Sequence, residues 1–550
     1  VNADGNIEKE TSNLLTYSND LSNGVWNHTD ASSTGGQSGY DGSNDAWLLN
    51  SSSGGNSLRR DISVSGINTF SIYAKAGTAN GIRIRFDQDT DCNAYIDLTD
   101  GSVFTEGNTL SINVYPISGG WYRISVAMNN IGLNLFRLIV TDGTTTTTAG
   151  TIYVQDAQVE QGLVARDYIE TTTAPVYVGI TDNTPRLDYT DSSCPALLLE
   201  PQRTNLVTNS DYINGLPDVS NVSVTTNATT SPEGVVNASK VVASAANTFH
   251  WVGETSSAST GLYTASIFAK SAELEQLYIV IRANNGADRY GVKFQINNKN
   301  VIDTITFGSP TQTSSSIEDY GNGWVRFSVS IYNTSGNVIS LFGPSLGGAL
   351  SDINNSFLGD GSSGIYMFGA QVEAGSYATS YIPTYGTSVT RARDLALGNN
   401  ADIFNSSEGT LFLDFKAFKD DTSFRYIALS DGSISNRVTI TLDSQYRIQS
   451  AVSVGGVTQS NIIKQMSSVS LSEGVKIAMT YKNNEFKSFV NGVETTPRDI
   501  SGNTFVAGTL RYLRLNQGNL TSNPFFGNVK QVLTFNTALT DSELATLTTI

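Results

Sequence analysis

Along residues 70–75, Phe70, Ile72 and Ala74 alternate with Ser71, Tyr73 and Lys75. A period of two belongs to a strand buried on one face. Similar short runs fill most of the chain, punctuated by Gly-Asn, Gly-Thr and Asp-Gly clusters at turn-like spacing. The pattern predicts strands and turns, with helical spacing only at the end. There Thr540 or Asp541 is placed to cap a short helix that carries Glu543 in its first turn.

The runs repeat. Ser12-Asn13-Leu14-Leu15-Thr16 returns as Thr204-Asn205-Leu206-Val207-Thr208, and Ser71-Ile72-Tyr73-Ala74-Lys75 as Ser266-Ile267-Phe268-Ala269-Lys270. Gly120-Trp121-Tyr122-Arg123 returns as Gly323-Trp324-Val325-Arg326, Ala157-Gln158-Val159-Glu160 as Ala370-Gln371-Val372-Glu373, and Tyr168-Ile169-Glu170-Thr171 as Tyr381-Ile382-Pro383-Thr384. The order is kept while the offset grows from 204 − 12 = 192 to 381 − 168 = 213. Ordered self-similarity of this kind marks two copies of one domain. Each copy, built of alternating strands, is expected to be a two-sheet sandwich of jelly-roll type. The remaining region does not match the repeat. It opens on the alternating run Gly409–Phe415, and Val475–Tyr481 and Phe486–Val490 flank Asn483-Asn484 as a hairpin, with Asn491-Gly492 following.

Composition narrows the function. With 33 Lys+Arg against 50 Asp+Glu, the net charge is −17, which argues against nucleic acid and anionic membranes as partners. Charged residues make up 15% and hydrophobic residues 39%, with 23 Phe, 24 Tyr and 5 Trp. That aromatic content belongs to a folded β-rich chain rather than a disordered one. No apolar run approaches the ~20 residues of a membrane span. Two cysteines, Cys92 and Cys194, cannot build a disulfide scaffold, and both are expected as free thiols. The start at Val1 suggests an upstream portion.

The motifs Asn13-Leu14-Leu15, Ser71–Lys75, Gly119–Arg123 and Gln158-Val159-Glu160 resemble the carbohydrate-binding-module-type jelly rolls of bacteriophage structural proteins. The connector Pro185-Arg186-Leu187-Asp188-Tyr189 … Ala196–Leu206 is similar to a segment of phage tail and fibre proteins, and Tyr381–Thr384 leading to Val389–Asp394 to their exit segment. The last region resembles the laminin-G/concanavalin A-like fold. The resemblance implies an all-β chain of three β-sandwich domains in tandem, jelly-roll and concanavalin-like. A lead-in over 1–11 precedes a jelly roll over 12–172, a connector over 173–203, a second jelly roll over 204–386, a linker over 387–404 and a laminin-G/concanavalin A-like domain over 405–550. It further implies a virion-surface fibre, spike or capsid decoration that reaches host-surface glycans, touches other virion proteins and forms a homo-oligomer, a trimer by analogy. The rival reading is the non-catalytic carbohydrate-binding portion of a secreted polysaccharide-degrading enzyme. A third is a purely architectural role.

No catalytic residues are assigned. Concanavalin-like hydrolases place carboxylates at alternate positions of one strand, whereas Asp414 and Glu485 stand singly, and His28 and His250 are the only histidines. For metal, Asp87, Asp89 and Asp91 offer hard oxygens that suit calcium. Leu98 stands where a calcium loop has its distal Glu, and the second copy has Ala283–Asp288 instead, so a solvated turn is the favoured reading. The matched Trp121 and Trp324 are expected in the core. Unmatched aromatics suit ligand recognition better, among them Trp26, Trp47 and Trp251. The candidate binding residues are Arg59 and Arg60 in one copy, with His250 and Trp251 offering an aromatic surface in the other.

Overall fold

The computed structural model describes residues 1–55, 57–87, 92–180, 184–397, 403–418, 424–519 and 522–550. Strands hold 53% of residues and helices 4%, so the all-β expectation holds. Two compact units are present. One comprises Asn6–Asn183 and Thr204–Val389, the other Val1–Gly5, Thr184–Arg203 and Thr390–Ile550.

The first unit holds both copies of the repeat. In the second copy, two six-stranded antiparallel sheets face each other. Val252, Ile279 and Phe294 from one meet Val241, Ile267 and Phe327 from the other in a shared core. The first copy differs from the expected pair of sheets, because its strands join into one ten-stranded sheet. Strands Ser57–Ala76 and Trp121–Thr141 pair without a register break from Trp121↔Lys75 to Ile139↔Ser57. Leu58 and Ile72, from opposite ends of one of them, enter the same core. The long ribbon therefore folds over and serves both layers.

The repeated motifs are buried polar locks. Asn13 Nδ2 donates to the carbonyls of Ala157 (3.1 Å) and Ile169 (2.8 Å), and its Oδ1 accepts from the Leu15 and Val159 amides. Asn205 makes the same four bonds, to Ala370 and Ile382 and from Val207 and Val372. Gln158 Nε2 donates to Glu160 Oε1 (2.7 Å) while its Oε1 accepts from the Ile169 amide, and Gln371 does likewise with Glu373 and Ile382. Ser18 pairs with the Tyr168 hydroxyl at 2.6 Å, as Ser210 does with Tyr381 at 2.7 Å. Each lock ties the entry strand of a roll to its exit segment. Burial makes every one of these bonds necessary, since an unpaired buried amide costs ~1–3 kcal/mol.

The two rolls are joined by a buried ionic knot. Lys9 Nζ lies 2.9 Å from both Asp211 Oδ2 and Glu233 Oε1 and donates to Tyr385 Oη at 2.8 Å. Arg166 Nη2 reaches Glu233 Oε2 at 2.6 Å, and the Tyr381 hydroxyl donates to Asp211. Two cations and two carboxylates cancel. Burial pulls the Lys9 ammonium toward neutrality, but Asp211 and Glu233 outweigh it and hold the pKa well above the ordinary lysine value. Beside the knot, Gly66 sits at φ +72°, and a Cβ there would lie 1.6 Å from the Tyr385 carbonyl oxygen. The Ile67 amide donates to that same oxygen at 2.9 Å. Only glycine permits this approach.

The second unit is a sandwich of a seven-stranded and a five-stranded sheet. Leu411, Leu413 and Phe415 from one sheet pack on Ile427, Val438 and Ile448 from the other. The strand Ala196–Leu199, from the segment expected as a connector, pairs with Gly527–Phe535 and so belongs to this sandwich. An ionic cluster fixes it. Arg186 binds Glu200 at 2.7 Å and Asp394 at 2.8 Å, and Arg391 binds Glu200 at 2.7 Å. The terminal helix Asp541–Thr548 carries a capping box between Thr540 and Glu543, as its sequence predicts. A second helix, Ser468–Glu473, was not expected. Its serine-rich sequence has weak helix propensity, and burial of Leu471 at 3% exposure holds it in place. Among the described residues no helix is long and apolar enough to cross a membrane.

Cys92 is buried and Cys194 exposed, both as free thiols, and burial pushes the Cys92 thiol up to about 12. A thiol reagent at neutral pH is expected to label Cys194 rapidly and Cys92 only on unfolding, read by peptide mass spectrometry. Lys9→Met, which leaves Asp211 buried without its cation while Glu233 keeps Arg166, is expected to destabilise the first unit by about 3–5 kcal/mol in denaturant unfolding.

Candidate functional site

Four residues singled out from sequence are tied into the fold. Arg59 makes a bidentate pair with Asp61 at 2.9 and 3.0 Å. Arg60 Nη2 donates to Thr16 Oγ1 at 2.8 Å, and burial lowers its pKa. His250 is 3% exposed, its ring nitrogens 2.7 Å from the Asn221 carbonyl and 3.2 Å from that of Phe357. Trp251, also buried, stacks on Phe249 at 4.0 Å and lies beneath the Arg282 guanidinium. Among the described residues no contact joins the arginine pair to the His-Trp pair. Asp89 and Asp91 lie outside the described residues; Asp87 ends the strand Gly81–Asp87, and its side chain is likewise undescribed.

The tryptophans are interior anchors. Trp121 and Trp324 are 3% and 2% exposed, consistent with their matched positions. Trp26 and Trp47 donate their indole N–H groups to the carbonyls of Tyr17 and Asn19, each at 2.8 Å.

Differences between the copies locate two unusual places. The first is Asp156, at a bulge in the strand Gly150–Gln161. Its φ is +57°, and the matched residue in the second copy is Gly369, at +65°. A left-handed backbone suits glycine and strains aspartate. The Tyr40 hydroxyl donates to Asp156 Oδ2 at 3.0 Å. Burial, opposed by that hydrogen bond and reinforced by Asp45, Asp41 and Glu170, raises its carboxyl to about 7.

The second is a groove of about 200 Å³ at the junction of the two rolls, lined by Asn113, Tyr115, Arg123 and Ser125. Strand pairing sets this tetrad. Tyr115 lies opposite Arg123 and Asn113 opposite Ser125, on the face away from the core residues Val114 and Ile124. The far wall is the turn Gly234-Val235-Val236 of the second roll. Tyr115 is 54% exposed. Arg123 lies over the Tyr73 ring at 5.3 Å and donates from Nη2 to the Arg166 carbonyl.

Arg326, the match of Arg123, is fully buried over Phe268, with Nη1 donating to the Thr379 carbonyl at 2.6 Å. The residue opposite Arg326 is Glu318. Burial works against the Arg326 charge, and the Tyr320 hydroxyl, Glu318 and Glu373 outweigh it and raise the pKa. In the first copy that position is Tyr115, and among the described residues no carboxylate forms an ion pair with Arg123. Sequence reasoning passed over Tyr115, although the signal was present: Tyr115 and Glu318 each stand eight residues before the matched arginine.

Comparisons with known proteins bear on the fold. Residues 389–545 match a laminin G family, described as the concanavalin A-like lectin/glucanases superfamily, so the second unit is concanavalin A-like. Among solved structures, the chain is similar to the Ruminococcus gnavus IT-sialidase CBM40 at 14% identity, covering 28% of this chain and 92% of that one, TM-score 0.24. It is similar to mouse laminin alpha1 domains LG4-5 at 11% identity, covering 51% and 86%, TM-score 0.20. It is also similar to the CBM22-1-CBM22-2 tandem domain of Paenibacillus barcinonensis Xyn10C at 11% identity, covering 67% and 99%, TM-score 0.20. A comparison with curated proteins found no match.

Asp156 gives a signed pH test. A carboxyl raised above its unfolded value of ~3.9 keeps its proton in the folded state, so its stabilising share is present at low pH and is lost as pH rises toward 7. Between about pH 4 and 7, stability of the first unit is expected to fall by up to ~1.4 kcal/mol per pH unit from this group. Asp156→Asn is expected to flatten that slope and raise stability at pH 8, measured by denaturant unfolding across pH.

Proposed function

We propose that the chain is a non-enzymatic adhesion protein of a phage virion surface, a fibre, spike or capsid decoration whose sandwiches present sugar-binding surfaces to host glycans. One observation carries the reading. The buried ionic clusters are interior knots, Lys9–Asp211–Glu233–Arg166 and Arg186–Glu200–Arg391–Asp394, whose acids are neutralised by cations of the same fold. A protein that stiffens tandem sandwiches this way is suited to presenting a surface. The concanavalin A-like match over 389–545 supports a lectin-type module, and the phage assignment rests on the resemblance of the connector and exit segments. Fold alone does not select a ligand.

Weak single-site sugar binding is strengthened by repetition around a symmetry axis, so we place the chain in a homotrimer. Glycan-array binding by the intact chain is expected to pick out bacterial surface polysaccharides, and binding to none would overturn the adhesive reading. Light scattering is expected to give about three times the 58.8 kDa chain mass; a monomer would remove the trimer.

A further inference from the structure

The structure holds its own control for the groove between the rolls. Arg123 and Arg326 occupy the same place on the same strand of the repeat, each over an aromatic ring and each bonded to the carbonyl of a matched exit residue, Arg166 or Thr379. In the second roll the opposite residue is Glu318, an exposed carboxylate that, with the Tyr320 hydroxyl and Glu373, favours the charged guanidinium, although no ion pair joins the two among the described residues. In the first roll Tyr115 stands there, and Arg123 opens onto a groove. Arg123 also acts on Glu160, which is buried and accepts from Gln158 Nε2 and the Arg166 amide. Burial pushes that carboxyl above its ordinary value, and no ion pair joins it to Arg123 among the described residues. The Arg166 cation is already matched by Glu233.

The remaining lining says what would complete the site. Tyr115 offers an exposed ring, whose flat apolar face suits the C–H face of a sugar. Asn113 and Ser125, one register step away, supply an amide and a hydroxyl for sugar hydroxyls. The volume, about 200 Å³, lies below the ~300–1,000 Å³ of pockets for drug-sized ligands, which leaves room for one sugar ring. We infer that this groove binds a single carboxylate-bearing sugar residue of the uronic-acid class within an acidic polysaccharide, its carboxylate pairing with the Arg123 guanidinium that opens onto the groove. The inference rests on the glycan-binding reading and names its ligand and its site. Arginine suits the task because its planar fork matches a carboxylate bidentately.

The test titrates the intact chain with D-glucuronate and with D-glucose by ligand-observed NMR. Glucuronate is expected to bind at least ten-fold more tightly than glucose, and less so as salt rises. Tyr115→Glu copies the second roll into the first and sits on an exposed strand position. It is expected to abolish the preference for glucuronate, while Tyr115→Phe retains it. Equal binding of both sugars, or an unchanged preference in Tyr115→Glu, would overturn the assignment. If Tyr115→Glu leaves array binding of polysaccharide intact, the groove is not the site although the adhesive reading stands. If the unaltered chain binds no glycan at all, both fall.

Discussion

A buried asparagine closes each jelly roll, and the rest of the unit depends on it. A side-chain amide has two donors and an acceptor with two lone pairs. Asn13 and Asn205 use them all but identically, clamping the entry strand against the last long strand and the exit segment. An aliphatic residue of the same size would leave two carbonyls and two amides unanswered in the interior. Because entry and exit are locked at one place, the residues just outside each lock are brought together. Lys9 precedes the first lock and Tyr385 follows the second, and both take part in the knot that joins the rolls. The ionic knot is thus a consequence of the amide lock.

This explains which parts of the fold were legible in the sequence. The motifs that repeat, Asn-Leu, Gln-x-Glu and Tyr-Ile-x-Thr, are the lock itself, and their spacing is fixed by hydrogen-bond geometry rather than by any ligand. Alternation at 70–75 gives a strand, with Phe70, Ile72 and Ala74 in the main core and Tyr73 covered on the other face by Tyr40 and Trp121. The continuous ribbon in the first roll was not legible, since nothing local separates a long strand that bends from two strands joined by a turn. The segment 173–203 read as a connector because it lies between the copies, whereas Thr184–Arg203 belongs to the last unit. Its membership of the last sandwich depends on Glu200 meeting Arg391 across 190 intervening positions of sequence, which no local pattern encodes.

The candidate site was harder to read for a related reason. Uncommon residues drew attention: tryptophans, histidine and adjacent arginines. In this chain such residues are costly to leave exposed, and the fold has enclosed or paired them. Trp251 and His250 fill space within the second roll, and Arg59 answers Asp61. Tyr115 is one of 24 tyrosines and stands out only once its strand partner and its counterpart Glu318 are known.

Duplication makes such contrasts informative. Two copies that keep the same lock must satisfy the same interior, so the groups free to differ are those the interior does not constrain. The second roll spends its equivalent positions on closure, with Arg326 sealed and Gly369 relaxed at the bulge. The first roll instead keeps Arg123 at the surface and holds an aspartate in a backbone conformation that costs of order 1–3 kcal/mol. Strain and an incompletely balanced charge both weaken a fold, and the second copy shows that the fold does not require either. At these two matched positions, Asp156 against Gly369 and Tyr115 against Glu318, the copies differ where the shared interior leaves the choice open.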